Sequence, residues 1–244
     1  MKTKLVQLIA ASVFSALSSS AVADTLKLTS LHWPPYAGPE LQGQGASVAV
    51  AKAALEAMGH TLEVDFFPWS RAVALTKKDD SYIGYFPEYL YESIEFVFSD
   101  PLGTGPLGLV ERSSNPVEWE NPGDLKGYRL GVVQDYVNTE QIDAMIASGD
   151  IEASTVTADT QNILKVAAGR IDVAVIDSNV FDYLLANNPQ VSRVRNTVQM
   201  NDRLLVEKNL HIAFKNNAEG RKWKAIFDEG LQKIDVQGIL EASM

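Results

Sequence analysis

Gly169-Arg170-Ile171-Asp172-Val173-Ala174-Val175-Ile176-Asp177 is a short apolar run that opens on a turn and stops at a carboxylate. The apolar run reads as a β-strand. In an open α/β sheet, ligands sit in the crevice beyond the carboxyl ends of the strands, so this strand would deliver Asp177 to the rim of such a crevice. A cationic group of a small molecule could be held there. Asp ahead of Ser178-Asn179-Val180-Phe181 is equally a good helix N-cap, and spacing alone leaves both roles open.

Working outward, the same alternation of short apolar strands and amphipathic helices extends in both directions, which predicts an α/β architecture. Upstream, strands are expected over 26–31, 62–67 and 81–86, with helices over 46–58, ended by Gly59, and from Ser70 to Thr76. Ser113-Ser114-Asn115-Pro116 and Asn121-Pro122-Gly123-Asp124 then form a turn-rich joint. Beyond it the alternation restarts, with strands over 129–133, 153–156, 171–176 and 210–214 and helices over 140–147 and 160–168. A long helix over 218–234 and a short one after Gly238 close the chain. Two βα units separated by a joint predict two lobes. A helical tail with no strand of its own would pack back on the first lobe, so the chain would cross between lobes twice and form a hinge with a cleft.

The chain's first residues read as an export signal: Lys2 and Lys4, an apolar stretch from Leu5 to Leu17, and Ala21-Val22-Ala23 as a cleavage site. The stretch is too short and too interrupted to span a membrane, and no membrane insertion is expected once it is removed. Its loss leaves 19 basic against 31 acidic residues, a formal charge of −12 where the full chain has −10. That balance argues against nucleic acid as a partner. The sequence holds no cysteine, which excludes disulfides and thiol nucleophiles. Its three histidines, His32, His60 and His211, lack the spacing of metal ligands, so neither metal nor cofactor is expected.

Several motifs occur in a telling order: Trp33-Pro34-Pro35-Tyr36, Phe67-Pro68-Trp69-Ser70-Arg71, Phe98-Ser99-Asp100-Pro101, Asp124-Leu125-Lys126-Gly127 ahead of Leu130-Gly131-Val132-Val133, Gly169-Arg170-Ile171-Asp172, and Leu210-His211-Ile212-Ala213-Phe214. In this order the chain resembles the family 3 extracellular solute-binding proteins, periplasmic receptors that feed polar amino acids to ABC importers. The resemblance covers essentially the whole mature chain. It implies a type II periplasmic-binding-protein fold, two lobes joined by two hinge strands: residues 24–110 plus 213–244 as lobe 1, residues 111–212 as lobe 2, and 1–23 as signal. It also implies that an aromatic at Trp33 or Tyr36 and another at Trp69 sandwich the ligand, and that Asp177 pairs with its ammonium group. Read from the residues alone, these aromatics could equally be core.

The sequence departs from that family where the family keeps an arginine to grip the ligand's carboxylate. Glu92 stands in its place, within Gly84-Tyr85-Phe86-Pro87-Glu88-Tyr89-Leu90-Tyr91-Glu92. Three accounts are open. Arg71 could supply the guanidinium instead. The ligand could lack a carboxylate and be selected by Asp177, Glu92 and Glu88. The cleft could also take an aromatic or sugar-like solute between Trp33, Tyr36, Trp69, Tyr85 and Tyr89. Glu88 and Glu92 are four apart and fit a solvated helix face as well. In the second lobe, Gln134-Asp135-Tyr136-Val137-Asn138-Thr139 replaces a glycine-threonine anion loop; Asn138 or Thr139 could cap the next helix, whereas Asp135 would oppose an anion there.

The expected function is a periplasmic, monomeric receptor that closes over a small polar solute, an amino acid or related amine, and presents it to an inner-membrane ABC permease. Two alternatives stand beside it: a dehydratase-like periplasmic enzyme on the same scaffold, for which no nucleophile, base and orienter set is present, and a soluble sensor partner.

Overall fold

The computed structural model describes residues 23–244, so the expected export signal, Ala23 apart, lies outside the described residues. One mixed sheet of ten strands runs through the molecule, in the order β2-β1-β3-β10-β5-β8-β6-β7, with β4 added against β10 and β9 against β5. Its first half comprises β1 (Thr25–Ser30), β2 (Thr61–Phe66), β3 (Gly84–Tyr89) and β4 (Phe96–Phe98). Helices α1 (Ala46–Glu56) and α2 (Trp69–Lys78) belong to this half. Its second half comprises β6 (Leu130–Val133), β7 (Ser154–Val156), β8 (Val173–Asp177) and β9 (Val198–Met200) with α3 (Glu140–Ala147), α4 (Asp159–Ala167), α5 (Ser178–Asn187) and α6 (Pro189–Ser192).

Two long antiparallel strands join the halves. In β5 (Gly103–Arg112), the first residues pair with β10 (Val206–Lys215) and the last with β8 and β9. In β10, the last residues continue into the first half against β3 and β4. The chain thus crosses between two lobes on a two-stranded ribbon, and α7 (Ala218–Leu231) and α8 (Val236–Ser243) return to pack on α1.

Local chemistry accounts for the element ends that shape the cleft. Strand β8 is buried along its whole length, as its unbroken apolar run requires. It stops where Asp177 accepts from the amides of Asn179 and Val180 at 2.9 and 3.2 Å and so starts α5. Helix α3 starts the same way, with the Thr139 hydroxyl accepting from the Ile142 amide at 3.2 Å. Helix α1 ends three residues before Gly59 and its left-handed φ of 78°.

Two sequence expectations need correction. Residues 88–92 form no helix, because β3 runs to Tyr89 and pairs with β10 there. The last helix begins before Gly238: Asp235 caps it by accepting from the Gly238 amide at 3.0 Å, which fixes the start at Val236. Among the described residues, no helix is long and apolar enough to cross a membrane.

Candidate functional site

The carboxyl ends of the strands of both lobes face one another across the ribbon. A cleft of about 610 Å³ opens there, with Trp33, Trp69, Tyr136, Asp159 and Val180 in its wall. A narrower pocket continues inward past Pro87, Glu88, Tyr89 and Val137, sharing Leu31, Trp33, Trp69 and Tyr136 with the outer cleft.

Aromatic side chains from both lobes build the walls. Trp33, from the loop after β1, stacks on Tyr36 with ring centroids 4.6 Å apart and meets Tyr89 edge-on at 6.1 Å. Trp69, the first residue of α2, meets Tyr136 of the other lobe edge-on at 6.1 Å and Tyr85 at 5.4 Å. Such geometries are the favoured ones for ring quadrupoles. Polar bonds tie the same groups across the gap. The Trp69 indole N–H donates to the Asp135 carbonyl at 3.0 Å, and the Ser70 hydroxyl donates to the Asp135 carboxylate. Asp135 itself has a left-handed φ of 61°, uncommon for a residue with a side chain.

Asp177 is buried, 2% exposed, where β8 pairs with Leu107 of the ribbon strand β5. Besides capping α5 it accepts from the Tyr36 hydroxyl at 3.2 Å to each oxygen and from the Tyr89 hydroxyl at 3.5 Å. The Asn179 side-chain amide donates to the Tyr36 oxygen at 2.8 Å. Of the two roles that spacing left open, Asp177 fills the helix cap; it lines neither cavity, and its oxygens are occupied by protein donors. Gly105 of β5 makes this approach feasible, since a Cβ there would lie 2.1 Å from the Asp177 Oδ2 atom.

Two other carboxyl groups line the gap. Asp159, the first residue of α4, is 7% exposed, and Glu88, on β3, is 6% exposed. Burial pushes Asp159 up to about 7, reinforced by the nearby Asp177 charge. It pushes Glu88 up to about 8 and Asp177 to about 7, against the opposing pull of their hydrogen bonds. The Tyr89 amide donates to Glu88 Oε1 at 2.8 Å. The phenols of Tyr89 and Tyr136 both feel the Glu88 and Asp159 charges, so the two acids share one enclosure.

Of the residues the sequence nominated, Trp33, Trp69 and Tyr136 line the gap, whereas Tyr36 and Asp177 are buried behind Trp33 and Tyr89, bonded to each other, and line neither cavity. Asp135 is exposed and bridges the lobes. Four others are corrected. Glu92 is exposed and lines neither cavity, because the chain leaves β3 at Tyr89 and turns outward; Glu88 is the acid that faces in. Arg71 points to the surface, its guanidinium 5.1 Å from the centre of the Phe67 ring. Tyr85 is sunk behind Trp69, with its hydroxyl bonded to that of Tyr91 at 2.7 Å. Asn138 is turned away toward Asp143, to which its side-chain amide donates at 2.7 Å.

Asp159 went unnoticed in the sequence. Its signal was available: a carboxylate shortly after a short strand, Ser154–Val156, at the same carboxyl-end side of the sheet as Asp177, the last residue of its own strand.

These features define a mixed α/β, two-lobed fold of the type II periplasmic-binding-protein kind, with a curled sheet and an interlobe cleft. A family model described as NMT1/THI5 like matches residues 102–206, under half of the chain. A comparison with curated protein sequences finds no match. Among solved structures, the chain is similar to a histidine kinase sensor domain with similarity to periplasmic binding proteins, at 21% identity and a TM-score of 0.75, covering 90% of this chain and 93% of that one. It is similar to the GluR0 ligand-binding core from Nostoc punctiforme in complex with L-glutamate (15% identity, TM-score 0.70, 89% and 96% covered). It is likewise similar to an amino acid ABC transporter substrate-binding protein from Streptococcus pneumoniae bound to L-arginine (17% identity, TM-score 0.68, 89% and 92% covered).

Proposed function

We propose that this protein is an exported solute-binding receptor of the family 3 kind, which closes over a small polar, amine-bearing solute and presents the closed form to an ABC permease of the inner membrane. Residues 24–110 with 213–244 act as one lobe and 111–212 as the other. The observation that carries this reading is the cleft itself: it lies between lobes joined by two antiparallel strands, β5 and β10, and takes its aromatic walls from both sides. A ligand touching both walls favours the closed arrangement by its differential contacts. The bound amino acids in two of the similar structures support the same use of the fold.

A second reading, a sensor partner that reports closure to a membrane receptor, is favoured by the likeness to a kinase sensor domain. Both readings require the same binding event, and a thermal-shift screen of amino acids, polyamines, sugars and aromatic acids tests it. One class is expected to raise the melting temperature by several degrees, because a ligand bound only to the folded form stabilises it. No shift with any class would refute the receptor reading, and turnover of the stabilising compound would replace it with an enzymatic one.

A further inference from the structure

The two cavities contain an imbalance of charge. Among the described residues, their walls include Glu88 and Asp159 but no lysine or arginine; the one basic side chain among them, His32, is already bonded to Glu40 at the outer edge. Arg71 lies outside on Phe67. Lys208 sits against the Tyr89 ring, its Nζ 5.0 Å from the centroid, and forms no ion pair within 4 Å among the described residues. The Lys208 charge reaches Glu88 only at a distance, from outside both linings, so a ligand carboxylate entering this gap would meet two like charges and no lysine or arginine in the wall. A ligand cation would find the reverse.

The carboxylate of Asp159 is more than nine-tenths buried and lines the cleft; the donors near it are the Trp33 indole N–H of the opposite lobe and its own backbone amide, and among the described residues no cation sits beside it. A buried anion with no cation beside it is costly, and a ligand ammonium would relieve that cost. Glu88 presents a second buried carboxylate, less bare than Asp159: its Oε1 accepts the Tyr89 amide, and the Lys208 charge and the Tyr85 hydroxyl act on it without a close ion pair. Asp177 differs from both, because two amides and two phenols already occupy it. The aromatic walls agree with these acids: indole and phenol faces attract cations, most strongly where water is excluded.

Resting on the receptor reading above, we propose that the cleft selects a small organic cation without a carboxylate, an amine or guanidine, with Asp159 and Glu88 as its charge partners and Trp33, Trp69 and Tyr136 as its walls. A carboxylate-bearing amino acid is a poor ligand on this account.

Agmatine and L-arginine isolate the question, because they share the guanidinium chain and differ by the carboxylate. Calorimetric titration of the mature chain is expected to give agmatine at least about tenfold tighter than arginine, the penalty of one unmatched charge. Asp159→Asn, nearly the same shape without the charge, is expected to weaken agmatine by at least about tenfold while the unliganded protein melts no lower than wild type. Glu88→Gln provides the same test at the inner end should the first variant fold poorly. Arginine binding as tightly as agmatine, or undiminished agmatine binding by both folded variants, overturns the proposal. Binding of an amino acid, a sugar or a carboxylic acid without agmatine also overturns it but leaves the receptor reading standing; failure of every probe, cationic, neutral and anionic, removes that reading itself.

Discussion

Glu88, Asp159 and Asp177 are held in the folded protein at values of about 8, 7 and 7, with burial as the first cause at each. In the unfolded chain such carboxyls titrate near 4. The folded state therefore binds more protons than the unfolded state between pH ~4 and ~8, and linkage makes stability fall as pH rises through that interval. Unliganded protein is expected to melt several degrees lower at pH 8.5 than at pH 5.5, and Asp159→Asn is expected to shrink the difference and raise the melting temperature at pH 8.5. Melting curves at three pH values check this, and a melting temperature that stays level or climbs would contradict it. Asp172 behaves oppositely: the Arg129 guanidinium holds it down to about 2, so its contribution is intact throughout this window and fades only as pH falls from about 4 toward 2. Binding of a cation follows the ionised acids, so agmatine affinity is expected to decline as pH is lowered from 8.5 to 5.5, the reverse of the trend in stability.

At the scale of single elements, α5 shows how one residue both starts a helix and ties the lobes together. Asp177→Ala would leave the Asn179 and Val180 amides without their acceptor and strip the Tyr36 and Tyr89 hydroxyls of theirs. A lost cap alone costs about 1–2 kcal/mol. Asp177→Asn keeps an oxygen for the cap and removes only the charge. Urea melts at pH 7 are expected to show a clear loss for the alanine variant and near wild-type stability for the asparagine variant; equal losses would mean that charge, not capping, is what Asp177 supplies to folding. The strand ahead of this helix was legible because its apolar run is uninterrupted. The ribbon strand β5 was not, because Gly103, Gly105, Pro106 and Gly108 read as a loop. Those glycines answer tertiary demands absent from any local pattern: at Gly105 the Asp177 carboxylate presses on the backbone, and at Gly108 a Cβ would meet the Met200 methyl at 2.8 Å. Asp159 was hidden for a different reason. The strand over 153–156 was expected, but β7 ends at Val156 and Thr157 and Ala158 separate it from the acid, whereas Asp177 directly ends the apolar run of β8.

Across the whole molecule, the lobes meet beyond the β5–β10 ribbon through the bonds from Trp69 and Ser70 to Asp135, through those of Tyr36 and Tyr89 to Asp177, and through the packing of Trp69 on Tyr136. In a hinge whose open and closed arrangements differ by a small free energy, one hydrogen bond, about 0.5–1.5 kcal/mol, is enough to shift their populations. Trp69→Phe retains a ring against Tyr85 and Tyr136 but loses the N–H that reaches across to the Asp135 carbonyl. Because apparent affinity scales with the fraction of molecules able to close, the variant is expected to bind its ligand about 3–10-fold more weakly. Its melting temperature should change little, since the packing within the first lobe is kept. X-ray scattering should report a larger radius of gyration for the unliganded variant than for wild type, and the two radii should converge when ligand saturates both. Identical radii without ligand, together with unchanged affinity, would show that the Trp69 bond to Asp135 does not govern closure and that the ribbon alone sets the arrangement of the lobes.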